Sequence, residues 1–351
     1  MYDFIIVGAA QAGLSMAYEL KKLGLNYLVL DKVDEIGASW LNRWDSLKLF
    51  TPTEFNHLPG LDFPAPRGHY PNKYEVANYF KAYVEKNDIP VNLNTFVQRI
   101  EKKNNFFHIH TENKTYLSEN VVIATGPFHI PYTPAFYQKI DKSIKQWHSN
   151  YYKNPEQLKD GAALVVGAGD SGYQILDEIS KTGRKTYFSG DTSVKTLPQE
   201  ILGKTLWWWF TKTGYLSIHK HHWFGKYISH TKQPIIGLDT KSILKRNNVF
   251  PVKKTIDAEH QVIKTEDQIL EDVKNIVWAT GYRPNFNWIK GIELDKEGYP
   301  IHYRGVSNTE GLYFLGLPWL YTRGSATLGG TKKDAEYLSN SIEKKLNLVK
   351  P

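Results

Sequence analysis

Residues 165–172 read V-V-G-A-G-D-S-G, and residues 7–13 read V-G-A-A-Q-A-G. Each follows an apolar run and precedes residues with helical spacing, so each reads as a strand, a Gly-rich turn and a helix. In a Gly-x-Gly-x-x-Gly loop the first glycine permits the tight turn and the second lets backbone approach a pyrophosphate. The third lets helix pack on strand, while the helix start supplies N–H groups and the positive end of its dipole. Gly167, Gly169 and Gly172 fill all three positions of the later stretch; the earlier one has Gly8 and Gly13, with Ala10 in the middle. Two such loops predict two dinucleotide sites and an α/β fold of two Rossmann-like domains.

The flanking pattern agrees. Tyr2–Gly8 reads as a buried strand, Leu14–Leu23 as a helix stopped by Gly24, and Tyr27–Leu30 as a second strand ending at Asp31. That acid lies close to the ~20-residue offset expected of a ribose-binding carboxylate. Helical spacing returns over Tyr74–Val84, then alternation over Phe106–Thr111, and Val121–Ala124 runs into Thr125-Gly126. The polar stretch Tyr151–Gly161 predicts a crossing between domains. The pattern then restarts with strand Ala162–Val166, helix Ser171–Ile179, strand Thr186–Phe188, and Ile276–Ala279 running into Thr280-Gly281. The tail, with a strand at 311–316 and a helix over Lys332–Leu346, has no fingerprint. It is expected to complete the first domain, giving 1–153 with 283–351 around an inserted 154–282.

At the second site, Ser171 is expected to cap the helix or donate to phosphate. The next strand runs into Ser189-Gly190-Asp191-Thr192, with no Arg or Lys before Lys195. An acid there favours the free ribose hydroxyls of NADH, whereas a 2′-phosphate calls for arginine. NADH use, or weak discrimination against NADPH, follows as the expectation.

Composition excludes several classes. The 351 residues contain no cysteine, which removes disulfides, thiolate metal sites and catalytic thiols. The net charge of +8 comes from scattered lysines without a basic block, so no nucleic-acid partner is expected. No stretch approaches the length of a membrane span, and residue 2 leads directly into a strand. A cytoplasmic protein with no membrane partner is expected. Leu206–Phe210, L-W-W-W-F, is too short to cross a bilayer and reads as a packed aromatic wall. His219, His221 and His222 lack acidic partners and helical ligand spacing, so no metal is expected.

Longer stretches narrow the reading. Gly37–Leu61 is G-A-S-W-L-N-R-W-D-S-L-K-L-F-T-P-T-E-F-N-H-L-P-G-L, and Ala124–Pro134 is A-T-G-P-F-H-I-P-Y-T-P. Trp147–Pro155 is W-H-S-N-Y-Y-K-N-P, Ala279–Pro284 is A-T-G-Y-R-P, and Gly316–Gly330 is G-L-P-W-L-Y-T-R-G-S-A-T-L-G-G. This succession resembles the class B flavin-dependent monooxygenases, in particular their short bacterial branch of cation-efflux-associated flavoproteins. Their signature Phe-x-Gly-x-x-x-His-x-x-x-Tyr/Phe is half present: His148 and Tyr152 match, while Lys142 and Ile144 replace Phe and Gly.

The resemblance implies a glutathione-reductase-type pair of domains, with FAD on the first loop and NADH or NADPH on the second. Hydride passes to the flavin, which adds O2 at C4a and oxygenates a small sulfide, amine or ketone. It further implies that Gly8, Ala10, Gln11, Gly13, Asp31, Lys32, Ser39, Trp40, Arg43, Thr125, Gly126, Gly316, Arg323, Ser325 and Ala326 lie at FAD. Gly167, Gly169, Asp170, Ser171, Gly172, Ser189, Asp191, Thr192, Thr280 and Gly281 then lie at the nicotinamide coenzyme. Asn56 and His57 are the candidate catalytic residues, with Asn56 donating to the flavin-bound peroxide. Two alternatives stay open, an NAD(P)H-dependent flavoprotein reductase and a low-turnover redox-sensing accessory protein. A homodimer is also left open.

Overall fold

Phe4–Val7 and Ala162–Val166 are unbroken apolar runs, the pattern of strands covered on both faces. In the computed structural model, which describes residues 1–349, each lies inside a parallel sheet. The first half begins with β1 (Tyr2–Val7), α1 (Gln11–Lys22) and β2 (Tyr27–Leu30). Helix α2 (Lys73–Lys86) starts with a capping box: the Asn72 side chain accepts from the Glu75 N–H while the Glu75 carboxylate accepts from the Asn72 N–H. It leads to β3 (Val91–Asn92). An antiparallel hairpin, Val97–Lys103 with Phe106–Thr111, carries the chain into β4 (Thr115–Ile123), which returns parallel to β1.

The second sheet holds β5 (Lys145–His148), β6 (Ala162–Val166), β7 (Thr186–Ser189), β8 (Val249–Val252) and β9 (Val273–Trp278), in the order β8-β7-β6-β9-β5. All its pairs are parallel. Helix α3 (Asp170–Ser180) follows β6, and the long segment between β7 and β8 carries α4 (Leu206–Lys212) and α5 (Trp223–Ser229). The chain then returns to the first sheet, where β10 (Leu312–Phe314) pairs parallel with β4. The first sheet thus runs β10-β4-β1-β2-β3, with short strands at 302–303 and 306–307 extending the β10 edge. The final helix, α6 (Thr331–Val349), lies on α1, where the hydroxyls of Thr331 and Ser15 bond at 3.1 Å. This is the α/β fold of two dinucleotide-binding units, one lodged within the other, that the paired fingerprints predict.

The crossing between sheets comes earlier than Tyr151–Gly161. Ile130–Pro131 pairs antiparallel with Tyr282–Arg283, so the outgoing and returning chains run side by side, and β5 already belongs to the second sheet. The sequence K-Q-W-H hides β5 because an edge strand needs no continuous apolar run.

The two halves share packing. Trp44 and Leu47, from the first half, are buried among Tyr152, Tyr173 and Phe188 of the second, and the Trp44 indole donates to Gln174 at 3.1 Å. The turn bearing Trp44 is held by Lys73, whose side chain is 2% exposed. Its ammonium donates to Asp45 at 2.7 Å and to the carbonyls of Arg43 and Leu41 at 2.8 and 3.1 Å. Among the described residues no helix is long and apolar enough to cross a membrane.

Candidate functional site

Strand register decides what meets at the site. Val7 lies beside Leu30 and Ile123, and Ile123 beside Phe314. The loops after these strands therefore leave from one edge, which brings Gly8, Asp31, Thr125-Gly126 and Gly316 together. In the second sheet Val166 lies beside Ser189 and Trp278, so Gly167, Gly190 and Thr280-Gly281 share an edge in the same way. Ligands of open parallel sheets bind at this carboxyl edge.

The two edges are built alike. Gly8 (φ +111°) and Gly167 (φ +118°) occupy the left-handed side of backbone space, and a Cβ on either would meet the carbonyl of Ala124 or Ala279 at 2.6 or 2.2 Å. Each A-T-G closure thus presses its alanine on the first glycine of its own fingerprint. A Cβ on Gly13 or Gly172 would come within 1.8 Å of the Gly8 or Gly167 carbonyl oxygen, which explains the third glycine as a helix-to-strand contact.

Three observations fit anionic dinucleotides to these edges. Neither α1 nor α3 has a side-chain cap at its start, so first-turn N–H groups remain open to phosphate. A Cβ on Gly169 would meet nothing within 4 Å, so the loop faces open space where pyrophosphate needs to approach. Arg323, whose charge acts on Asp170 at the start of α3, donates to the Gln233 side chain through one Nη, and its Nε is buried without a hydrogen-bond partner among the described residues. The Asp31 carboxylate, directly after β2 at the same edge, accepts from the Ala9 N–H at 2.6 Å and the Val33 N–H at 3.2 Å.

Several expected cofactor contacts are committed elsewhere. Ser171 lies inside the first turn of α3, whose N-cap is Gly169, so it does not cap the helix. Ser189 is buried and accepts from the Thr255 N–H at 2.9 Å while donating to the Lys253 carbonyl at 3.0 Å, which commits its hydroxyl to the turn after β8. Ser325 accepts from the Tyr321 and Thr322 N–H groups at 3.2 and 3.0 Å and shapes the tail turn. Thr280 donates to the Tyr132 carbonyl at the crossing. Arg43 donates to the Tyr282 hydroxyl at 2.6 Å, with its guanidinium 5.5 Å from the Phe128 ring and 5.7 Å from that of Tyr282. Trp40 is half-buried against both cores. Gln11 opens α1. Thr192 and Ala326 are exposed, Lys32 is exposed, and Ser39 sits at the surface end of its short turn.

The candidate catalytic pair is also reassigned. Asn56 is fully buried and satisfied by its own loop: its amide donates to the carbonyls of Thr51 and Pro52 at 2.9 and 3.1 Å, and its carbonyl accepts from the Thr51 hydroxyl at 2.6 Å. It shapes the 51–56 turn and has no donor left to aim at a flavin. His57 accepts from the Phe63 N–H at 2.8 Å and lines a surface hollow with Leu58, Leu61, Asp62, Lys86 and Lys332, none of which belongs to either fingerprint loop.

Four residues outside the sequence reading of the site shape it. Lys73 is one. Lys232 bonds the Asp191 carboxylate, which also accepts from the Ser193 N–H at 2.9 Å and its hydroxyl at 2.6 Å; these bonds hold Asp191 well below the usual carboxylate range. Trp207, from the aromatic run, is 2% exposed, donates to the Phe50 carbonyl at 2.8 Å and stacks on the Phe50 ring at 5.7 Å, clamping the loop that leads to Asn56. His129 joins the first A-T-G closure to the returning chain, bonding Thr125 at 3.0 Å and accepting from the Asn285 N–H at 2.9 Å. Burial, and secondarily Lys32, hold its imidazole below the ordinary range. Asp170 is a further perturbed group, which burial pushes up to about 6 against the pull of Arg323.

The half signature has a structural reading. His148 ends β5 and donates to the Gly281 carbonyl at 2.9 Å while accepting from the Asn150 N–H at 3.1 Å, so it secures the returning chain. Tyr152 is buried and donates to Glu178 at 2.9 Å. Ile144, at the signature glycine, is 2% exposed within the core of the second unit, and Lys142 points to solvent.

The profile of the pyridine nucleotide-disulphide oxidoreductase family matches residues 5–200. An uncharacterized CzcO-like oxidoreductase of Geobacillus kaustophilus is 42% identical over 341 residues, covering 97% of this chain and 98% of that one. A probable indole-3-pyruvate monooxygenase of Arabidopsis thaliana, YUCCA7, is 26% identical over 384 residues, covering 96% of this chain and 86% of its own length. The solved structure of a doubly substituted flavin monooxygenase from Stenotrophomonas maltophilia superposes with a TM-score of 0.81 at 25% identity, covering 98% of this chain and 99% of that one. With two fitted dinucleotide edges and these likenesses, the chain is an oxidoreductase that takes FAD and a nicotinamide coenzyme, and it belongs to the pyridine nucleotide-disulphide oxidoreductase family, in the CzcO-like branch of its flavin monooxygenase-like members.

Proposed function

We propose that this chain is an FAD-dependent monooxygenase that uses NADH or NADPH and O2 to oxygenate small sulfides, amines or ketones in the cytoplasm. On this reading residues 1–153 with 283–351 hold FAD and residues 154–282 hold the coenzyme, with β5 lent to the coenzyme unit. The observation that carries it is the duplicated carboxyl-edge cradle in a chain without cysteine. Two cradles fit two dinucleotides, and without a thiol pair the flavin passes its electrons directly to an outside acceptor, which on this reading is O2.

When bound, FAD supplies hydride acceptance and activation of O2. The chain's own residues position and shield. The Gly8–Gly13 loop and the start of α1 offer N–H groups to the pyrophosphate of FAD, and Asp31 offers a carboxylate to its ribose. Gly167–Gly172 and α3 do the same for the coenzyme, and Arg323 brings a positive charge beside Asp170. Trp207 and Phe50 keep water from the loop 50–56. At the end of β7, the Asp191 charge is neutralised by Lys232, which supports weak discrimination between NADH and NADPH.

The test is anaerobic reduction of the purified holoenzyme by each coenzyme, then mixing with ¹⁸O2 and an organic sulfide. The expected product is sulfoxide carrying one labelled oxygen per coenzyme consumed. Coenzyme oxidation that yields only hydrogen peroxide would favour a reductase, and absence of flavin reduction would favour a redox sensor.

A further inference from the structure

The segment between β7 and β8 closes neither main sheet, yet it holds some of the most exposed large apolar side chains. Leu202, Trp223 and Tyr227 are 87%, 73% and 66% exposed. In α5, Gly225 and Ile228 are buried, while Trp223, Lys226, Tyr227 and His230 fall at i, i+3, i+4 and i+7 and so share one outward face. The rings continue beyond the helix, with His222 at 5.7 Å from Trp223 and His221 stacked at 6.2 Å on Tyr303, itself 58% exposed.

The segment that carries α5 is one-sided in charge between Asp191 and Asp239, and Lys226 lies on the outward face itself. Residues 193–238 contain six lysines and a single acid, Glu200. Of those lysines only Lys232 forms an ion pair among the described residues. Protein-binding surfaces are depleted in lysine at their centre, and a symmetric dimer through α5 would set Lys226 close to its own copy. Trp and Tyr flanked by Lys and His are instead the side chains that settle at a bilayer's headgroup level, and anionic lipid attracts the lysines.

We infer that the outer face of α5 is a docking face for an anionic lipid bilayer, on which the protein rests without crossing. This departs from the sequence expectation of no membrane partner. The backbone of Lys220 bonds the tail at Tyr321, two residues before Arg323, so docking would bring the cofactor edge near the lipid surface.

The test is co-sedimentation of the holoenzyme with vesicles of phosphatidylcholine alone or mixed with phosphatidylglycerol, at low and high salt. Binding is expected only with phosphatidylglycerol and is expected to fall with salt. Trp223→Ser/Tyr227→Ser leaves the charge unchanged and should weaken binding at least tenfold, with FAD content and coenzyme oxidation in solution retained; Lys226→Ala should weaken it about fivefold. Failure to bind phosphatidylglycerol vesicles overturns the inference, as does undiminished binding by the double variant. So does a concentration-dependent dimer, without lipid, that the double variant abolishes.

Discussion

Gly172→Ala, with Gly169→Ala as its companion, probes the second fingerprint directly. At position 172 the added methyl would lie 1.8 Å from the Gly167 oxygen, while at 169 it meets nothing within 4 Å. A carbon–oxygen contact settles at about 3.3–3.6 Å, so α3 must retreat from its strand by about 1.5 Å. Overpacking of this kind costs about 1–3 kcal/mol, and a displacement near 1 Å at a reacting geometry costs about a hundredfold in rate. Anaerobic stopped-flow spectroscopy reads the consequence as the rate of flavin bleaching by NADH. Gly172→Ala is expected to slow that rate about a hundredfold, lower the melting temperature and keep the full FAD content. Gly169→Ala should melt like the parent and lose only coenzyme affinity, because its methyl enters the phosphate space. Wild-type reduction by Gly172→Ala would refute the close-packing argument. Loss of FAD with coenzyme affinity intact would reverse the assignment of the two loops.

Lys232→Ala leaves Asp191 unneutralised beside the ribose edge, so the KM for NADPH should rise about tenfold or more, the weight of one charged hydrogen bond, with NADH little changed; steady-state kinetics with both coenzymes check it. Asp170, pushed up to about 6 by burial, binds a proton in the folded chain between about pH 4 and 6 that the unfolded chain has released. Its effect on stability is therefore favourable at low pH and lost as pH rises through that window. Asp170→Asn should flatten the melting profile there and raise the melting temperature at pH 7; an unchanged profile would show that Asp170 is not the group titrating. Lys73→Met strips the turn at 41–45 of its three-way anchor and should cost about 3 kcal/mol, the lower end for a buried pair because Asp45 keeps access to water. Thermal unfolding measures this, and a parent-like melt would refute it.

The fold was legible because its signals are local. The glycines, the apolar runs of β1 and β6 and the spacing of α1 and α3 sit within a few residues of one another, and strand register then assembled the predicted loops without further information. Helices α2, α3 and α6 run beyond their expected bounds at both ends, and α1 starts earlier, at Gln11, but stops at Lys22, since amphipathic spacing fades in the first and last turns. What sequence missed is long-range or saturable. Lys232 lies 41 residues from Asp191 and carries no motif. Asn56 has the right chemistry for a donor, but Thr51 and Pro52 consume its hydrogen-bonding capacity, which composition cannot foretell. Lys73 is a lysine in a helix, normally solvated, and only the three oxygens folded around it make it a buried post. Ile144 follows the same logic in reverse, an apolar side chain where a glycine is expected because the core there has room for it.

The ribbon formed by Ile130–Pro131 and Tyr282–Arg283 places the entry and exit of the coenzyme unit at adjacent points. A unit whose ends meet can be lifted out and replaced without changing the distance its host must span. The coenzyme half is in that sense a cassette. On the proposed assignment of the two halves, a host that shares this ribbon would accept another coenzyme unit as a block while the FAD half keeps its sheet, provided the incoming cassette still offers partners for Trp44 and Asp45.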